Sequence, residues 1–328
     1  MAEYINIKGQ NIEVVASDPA NPTQGQIWYN STSNTLKGLG VTTAGSWVTG
    51  NNMNTARHYI PGAGTQTAAL GFGGYSSVPA ANTGATEEYD GNSWTNSNPL
   101  NTARRALAGC GTQTAALASG GALPPNALTT ATEEYDGNSW ATSPGSLNTA
   151  RYVLAGCATQ TAGLAFGGLT TVVTGATEEY NGSTWTSSNS LNTARSNLSG
   201  CGTQTAGLAF GGYITDNSAA TEEYDGTSWV TSPGSMNTAR YNPGGCGIQT
   251  DALAFGGATP SATGATELYD GTSWSTNPGS LNTARQGLGG AGNTSAGLAL
   301  GGETTVSTAA TEEWTGAGAP TTVTITAS

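Results

Sequence analysis

The tetrapeptide Asn-Thr-Ala-Arg occurs six times, starting at Asn54, Asn101, Asn148, Asn192, Asn237 and Asn282, at intervals of 47, 47, 44, 45 and 45 residues. No other feature constrains the fold as strongly. A short repeated unit that cannot bury its apolar face alone must stack on its neighbours. Each copy continues in the same order. A Gly-Gly pair begins at Gly73, Gly120, Gly167, Gly211, Gly256 and Gly301. A Thr-Glu-Glu-Tyr segment then begins at Thr86, Thr132, Thr177, Thr221, Thr266 and Thr311, with TELY and TEEW in the last two copies. Most copies run on through Asp-Gly or Asn-Gly to a Trp, as in YDGNSW from Tyr89 to Trp94.

Each copy thus holds four short segments bounded by Gly and turn residues, which read as strands. No ten-residue stretch has helical periodicity. The Asp-Gly pairs predict type I′ hairpin turns with both central residues at positive φ. Four strands per unit, repeated six times at about 45 residues, predict an all-β, six-bladed propeller. The fourth strands begin at Trp94, Trp140, Trp185, Trp229 and Trp274, and no such Trp follows Trp314. The missing one stands upstream at Trp47, so an N-terminal strand is expected to complete the last blade and close the ring. The competitor for that place is TVTITAS, Thr322 to Ser328. The expected organisation is an attachment segment, 1–44, and a propeller, 45–328.

Only 9% of the residues are charged, against about 25% in an ordinary domain. With 49 glycines this could mean disorder, but eight Trp and twelve Tyr point to a packed core. A formal net charge of −12 argues against nucleic acid and anionic membranes as partners. No apolar run reaches the ~20 residues of a membrane span, so no membrane insertion is expected. The opening MAEYINIKGQ lacks the pattern of a secretory signal, and the four cysteines are expected to be reduced.

Six of the nine basic residues are the repeat arginines Arg57, Arg104, Arg151, Arg195, Arg240 and Arg285. The first Glu of the third strand recurs with them, as Glu87, Glu133, Glu178, Glu222, Glu267 and Glu312. A structural Arg–Glu pair in or between blades is expected, since the guanidinium fork matches a carboxylate. The alternative, a ring of arginines for an acidic ligand, is weaker because each Arg comes with its Glu. The following position is Leu268 in one copy and tolerates an apolar residue; alternation puts it on the opposite face. Cys110, Cys157, Cys201 and Cys246 exchange with Ala63 and Ala291, which marks a small, buried site rather than a disulfide or zinc centre. No metal or cofactor is expected. The Trp and Tyr series read as core between blades.

The Gly-Gly after the second strand, the Tyr, and the Trp five or six residues later resemble the kelch propellers, as in Gly73-Gly74, Tyr89 and Trp94. The resemblance covers roughly residues 46 to 315. It implies a fold and little about function. Kelch-type oxidases hold copper with histidines, and this chain has one histidine, His58, expected in packing or at the surface. Six-bladed sialidases need converging arginines, whereas only Arg105 lies off the repeat position. No G-x-S-x-G, H-E-x-x-H or P-loop pattern occurs, so no enzyme is expected.

The connections between second and third strands vary most between copies. Binding residues gather in variable loops on rigid scaffolds. The candidates are Tyr75, Asn82, Leu123, Tyr213, Asp216 and Asn217; drift of unconstrained loops is the competing explanation. Finally, PANPTQGQIWYNSTSNTLKG, residues 19–38, resembles a segment of tailed-phage fibre and virion proteins, carried by Gly25, Ile27, Trp28, Tyr29 and Asn30. The Gly/Thr/Ala-rich repeats resemble those of structural proteins of marine phages. The resemblance implies a non-enzymatic virion protein on a tail or capsid surface, assembled in the host cytoplasm. Ile27, Trp28, Tyr29 and Asn30 would serve attachment to other virion proteins, and the propeller would meet a host-surface glycan or another virion protein. A homo-oligomer is compatible with this. The alternatives are a cellular kelch-type adaptor and a glycan-cleaving enzyme.

Overall fold

The computed structural model describes residues 12–19, 26–41, 44–317 and 320–325, and all regular structure among them is β. The chain divides into a repeat unit, Ser46–Thr315, and a smaller unit formed by Met1–Gly45 with Gly316–Ser328.

In the smaller unit, Ile27–Asn30 and Thr35–Val41 form an antiparallel hairpin. Glu13–Val15 joins it in parallel and Pro320–Thr324 joins the other edge antiparallel. The C-terminal strand therefore extends this sheet and does not close the repeat. By contacts, Gly316–Ser328 groups with the smaller unit, and the repeat unit begins at Ser46. Residues 1–11, Gly25 and the last three residues of TVTITAS lie outside the described residues.

The repeat unit contains six four-stranded antiparallel sheets among the described residues, numbered I to VI here. Sheet I is Gly62–Thr65, Ala68–Phe72, Thr86–Tyr89 and Trp94–Ser97. Sheets II to V follow the same plan within 108–142, 155–188, 199–231 and 244–277. Sheet VI takes three strands from the C-terminal side, Gly289–Gly292, Ala296–Leu300 and Thr311–Thr315. Its fourth strand is Ser46–Thr49, with Trp47 opposite Trp314.

The first strand of each sheet lies beside that of the next, and that of sheet VI lies beside that of sheet I. Glycine makes this approach possible. A Cβ on Gly62 would meet the Gly290 carbonyl at 2.4 Å, and one on Gly290 would meet the Gly245 carbonyl at 2.4 Å. Further out, six apolar clusters among the described residues each draw on two adjacent sheets. One packs Phe72 of sheet I on Trp140 of sheet II with ring centroids 4.8 Å apart. Aromatic side chains bury the most apolar area per residue, so one large ring per junction holds neighbouring sheets together.

Polar bonds cross the same junctions. Each fourth-strand indole donates to a third-strand Thr hydroxyl of the preceding sheet at 2.9 Å. The pairs are Trp140 to Thr86, Trp185 to Thr132, Trp229 to Thr177 and Trp274 to Thr221, then Trp47 to Thr266 and Trp94 to Thr311. A backbone series runs nearer the centre. Tyr59, Ala106, Val153, Asn197 and Asn242 have φ between 47° and 54°, and Gly287 has φ 62°. The N–H of each donates to the carbonyl of the equivalent residue in the preceding repeat, and the N–H of Tyr59 donates to Gly287 at 2.7 Å. Left-handed backbone is costly for residues other than Gly, Asn and Asp. This series of cross-repeat bonds holds it in place.

The NTAR motif ties each sheet to the chain entering it. Arg57 is fully buried; its guanidinium lies 3.1 Å from Glu87 and donates to the carbonyls of Gly73, Gly71 and Ala85. Glu87 also accepts the backbone N–H of Asn54 at 2.6 Å, and the Asn54 amide donates to the Trp94 carbonyl. The other pairs are Arg104–Glu133, Arg151–Glu178, Arg195–Glu222, Arg240–Glu267 and Arg285–Glu312, each within one repeat.

The turn expectation is corrected. The Asp-Gly connections are four-residue loops, not two-residue type I′ turns, because Tyr89 pairs with Trp94. Only Gly91 has positive φ there, while the Asp90 carboxylate accepts the N–H groups of Asn92 and Ser93 at 2.8 and 2.6 Å. An aspartate side chain that closes its own turn removes the need for a second left-handed residue. The Leu268 position takes an apolar residue, as expected, and its setting shows what accompanies it. In five junctions the second Glu of the third strand accepts from a Tyr hydroxyl of the next sheet: Glu88 from Tyr135, Glu134 from Tyr180, Glu179 from Tyr224, Glu223 from Tyr269 and Glu313 from Tyr89. In the remaining junction the Tyr is replaced by Trp314, whose indole donates to the Thr294 carbonyl, and the Glu by Leu268, which packs on the same cluster. The position takes its apolar residue at the one junction where Trp314 stands in place of the Tyr.

Candidate ligand-binding site

The residue after each repeat Arg bridges to the residue after the Gly-Gly pair, so it lies at the base of the variable connection of its repeat. In the first two repeats the variable connection extends into a ribbon, Tyr75–Ser77 with Ala80–Asn82 and Ala122–Leu123 with Ala127–Leu128. Between the ribbons lies a cavity of about 560 Å³. This is within the range of small-molecule sites. Its polar lining comes from His58, Tyr59, Tyr75, Asn82, Arg105 and Asn126, with Pro124, Pro125 and two alanines as apolar wall. A smaller cavity of about 130 Å³ at the centre is lined by first-strand residues and the left-handed series, and offers mainly backbone and aliphatic groups.

Arg105 dominates the larger cavity. It is half-buried, and its Nη1 donates to Asn82 Oδ1 at 2.8 Å and its Nη2 to Asn126 Oδ1 at 2.6 Å. Its Cζ stands 5.2 Å from the centre of the Tyr75 ring, a cation–π contact. The Asn82 amide in turn donates to the Ala122 carbonyl at 2.8 Å and joins the two ribbons. No carboxylate among the described residues lies within ion-pair distance of Arg105, whereas each repeat Arg has one.

His58 is buried behind Tyr75, with ring centroids 5.4 Å apart. Burial, with Arg105 nearby, pushes its pKa down to about 4, so the ring is neutral at pH 7. Its Nε2 lies 3.2 Å from Glu303 and its Nδ1 2.9 Å from the Ser307 hydroxyl. The neutral tautomer that fits donates from Nε2 to the carboxylate and accepts at Nδ1. Burial raises the Glu303 carboxyl, and a bond from Gln286 works against that shift.

Of the candidates read from sequence, Tyr75 and Asn82 line this cavity. Leu123 is half-buried opposite Ala127 in its ribbon and does not line it. Tyr213, Asp216 and Asn217 form a separate tip in the fourth repeat, where the Asp216 carboxylate accepts the Asn217 N–H at 2.7 Å. The cavity residues missed in sequence are His58, Tyr59, Arg105 and Asn126, with the apolar wall of Ala80, Ala81, Pro124 and Pro125. A signal for two of them was present. His58 and Arg105 occupy the same position, directly after the repeat Arg, and are the one histidine and the one off-motif arginine. The segment residues assigned to attachment are largely internal to their sheet. Trp28 is fully buried and donates to Asp18 at 3.0 Å, Asn30 is buried and donates to the same oxygen, and Ile27 and Tyr29 are half-buried. Trp28 and Asn30 thus hold the small sheet together and present little contact surface.

The site is a polar pocket on the variable face of a propeller-like, all-β repeat protein. In comparison with known proteins, no family model and no curated protein matches the chain.

Proposed function

We propose that the chain is a closed six-bladed, kelch-like propeller that serves as a non-enzymatic phage virion protein, with its variable face turned to a host-surface glycan or another virion protein. The indole–Thr and left-handed backbone series support closure, since each runs through all six sheets and returns to the first. The observation that carries a binding role is the concentration of non-repeated chemistry in one pocket. The position directly after the repeat Arg holds His58 and Arg105 in this pocket and Tyr152, Ser196, Tyr241 and Gln286 elsewhere, while the scaffold around it repeats almost unchanged. The virion context rests on the resemblance of residues 19–38 and of the repeats to phage structural proteins.

Val78, Val172, Ile214 and Val306 stand exposed in the variable connections, the face that this reading turns to a partner. The test is immunogold labelling of purified particles with an antibody to the repeat unit. Label on tail or capsid is the expected result. Clean particles, with the protein free in infected-cell lysate, would remove the virion reading and favour a cellular adaptor.

A further inference from the structure

We propose that the Arg105 pocket takes a sugar bearing a single carboxylate, a nonulosonic acid at the end of a glycan chain. This rests on the reading of the variable face as a glycan-contacting surface and names the class of glycan.

The charge pattern is the first argument. In a chain with net charge −12, a cation normally finds a carboxylate, and six buried arginines here do so. Arg105 is held instead by two neutral amide oxygens, Asn82 Oδ1 and Asn126 Oδ1, and by the Tyr75 ring. These contacts fix the plane of the guanidinium without neutralising it. Of its five N–H donors two are spent, one on each Nη, which leaves a second hydrogen on each Nη, the pair that matches the two oxygens of a planar carboxylate.

The second argument is the shape of the walls. The cavity of about 560 Å³ has room for more than one sugar ring. Pro124 and Pro125 offer a rigid apolar wall to the C–H face of a ring. The third argument selects among anions. A single guanidinium within a strongly acidic protein favours a monoanion, because the protein's own field repels a phosphate dianion or a long polyanion.

The experiment is isothermal titration of the full-length protein with sialyllactose, lactose and sulfated lactose, repeated with Arg105→Gln, Arg105→Lys and Asn126→Ala. Melting temperatures of all variants are measured alongside. Sialyllactose is expected to bind at least about tenfold more tightly than lactose, the gain of one charge-assisted contact. Arg105→Gln abolishes that preference with unchanged melting; Arg105→Lys and Asn126→Ala retain part of it, the first keeping the charge without the fork and the second loosening the fork's support. Three results overturn the proposal: equal binding of sialyllactose and lactose, no binding of any acidic probe, or a preference that survives Arg105→Gln. A preference for the sulfated sugar overturns the carboxylate assignment. Lactose binding that ignores Arg105 overturns the acid pocket and leaves the glycan-contact reading standing. Particle labelling without any sugar binding leaves only the virion reading.

Discussion

The junction between sheets V and VI allows a decisive test of how the repeat is specified. Five junctions carry a Tyr–Glu hydrogen bond, and this one carries Trp314 and Leu268. Leu268→Glu alone places a half-buried carboxylate beside an indole whose N–H is already donated to Thr294 at 2.8 Å. Lost apolar contact and an unpaired acceptor cost about 2 kcal/mol. Trp314→Tyr alone removes that N–H bond and part of a fully buried side chain, again about 2 kcal/mol. Together the substitutions recreate the pair found elsewhere, and a phenol donating to a carboxylate returns about 1.5–3 kcal/mol. The double variant is therefore expected to be no less stable than either single one, with a coupling of about 2 kcal/mol. The assay is equilibrium denaturation of the four proteins, followed by circular dichroism so that loss of a Trp does not affect the signal. Destabilisations that add to within about 0.5 kcal/mol would mean that the two positions are independent and that the co-occurrence of Leu268 with Trp314 is accidental.

Three further predictions follow from buried charge, backbone strain and titration. Arg151→Met leaves Glu178 buried without its cation and should destabilise by about 3–5 kcal/mol, whereas Arg151→Met with Glu178→Gln should cost clearly less; denaturation midpoints decide. Val153 is a β-branched residue at φ 47°, so Val153→Asn should stabilise by about 1 kcal/mol and Gly287→Val should destabilise by a similar amount; equal melting temperatures would refute the strain argument. Burial and the bond to Glu88 push the Tyr135 hydroxyl up to about 12. A raised folded pKa gives stability that is complete below the unfolded value and lost as pH rises from about 10 to 12. Wild type should therefore lose stability relative to Tyr135→Phe across that window, and parallel melting curves against pH would refute the assignment.

The strand plan was legible in the sequence because it is local. Gly-Gly, Asp-Gly and the short apolar segments punctuate the chain at fixed offsets, and each strand lies where those offsets put it. The sixth missing Trp likewise pointed to Trp47, since a four-stranded sheet lacking one strand needs a partner from elsewhere in the chain. Arg–Glu pairing was readable from equal copy numbers. The turn chemistry was not, because Asp-Gly is compatible with two loop lengths and the choice depends on whether the Asp carboxylate closes the turn.

The sequence by itself determined the repeat, the β class and the residues that recur as scaffold, because repetition reports local geometry and nearest-neighbour packing. Only the tertiary structure decided what stands beside what. It put Leu268 against Trp314, took Pro320–Thr324 into the N-terminal sheet, turned Trp28 inward, and brought Arg105 from one repeat against Tyr75 and Asn82 from another. Those contacts join residues far apart in sequence, and a recurring motif carries no record of which non-recurring side chains the fold will place face to face.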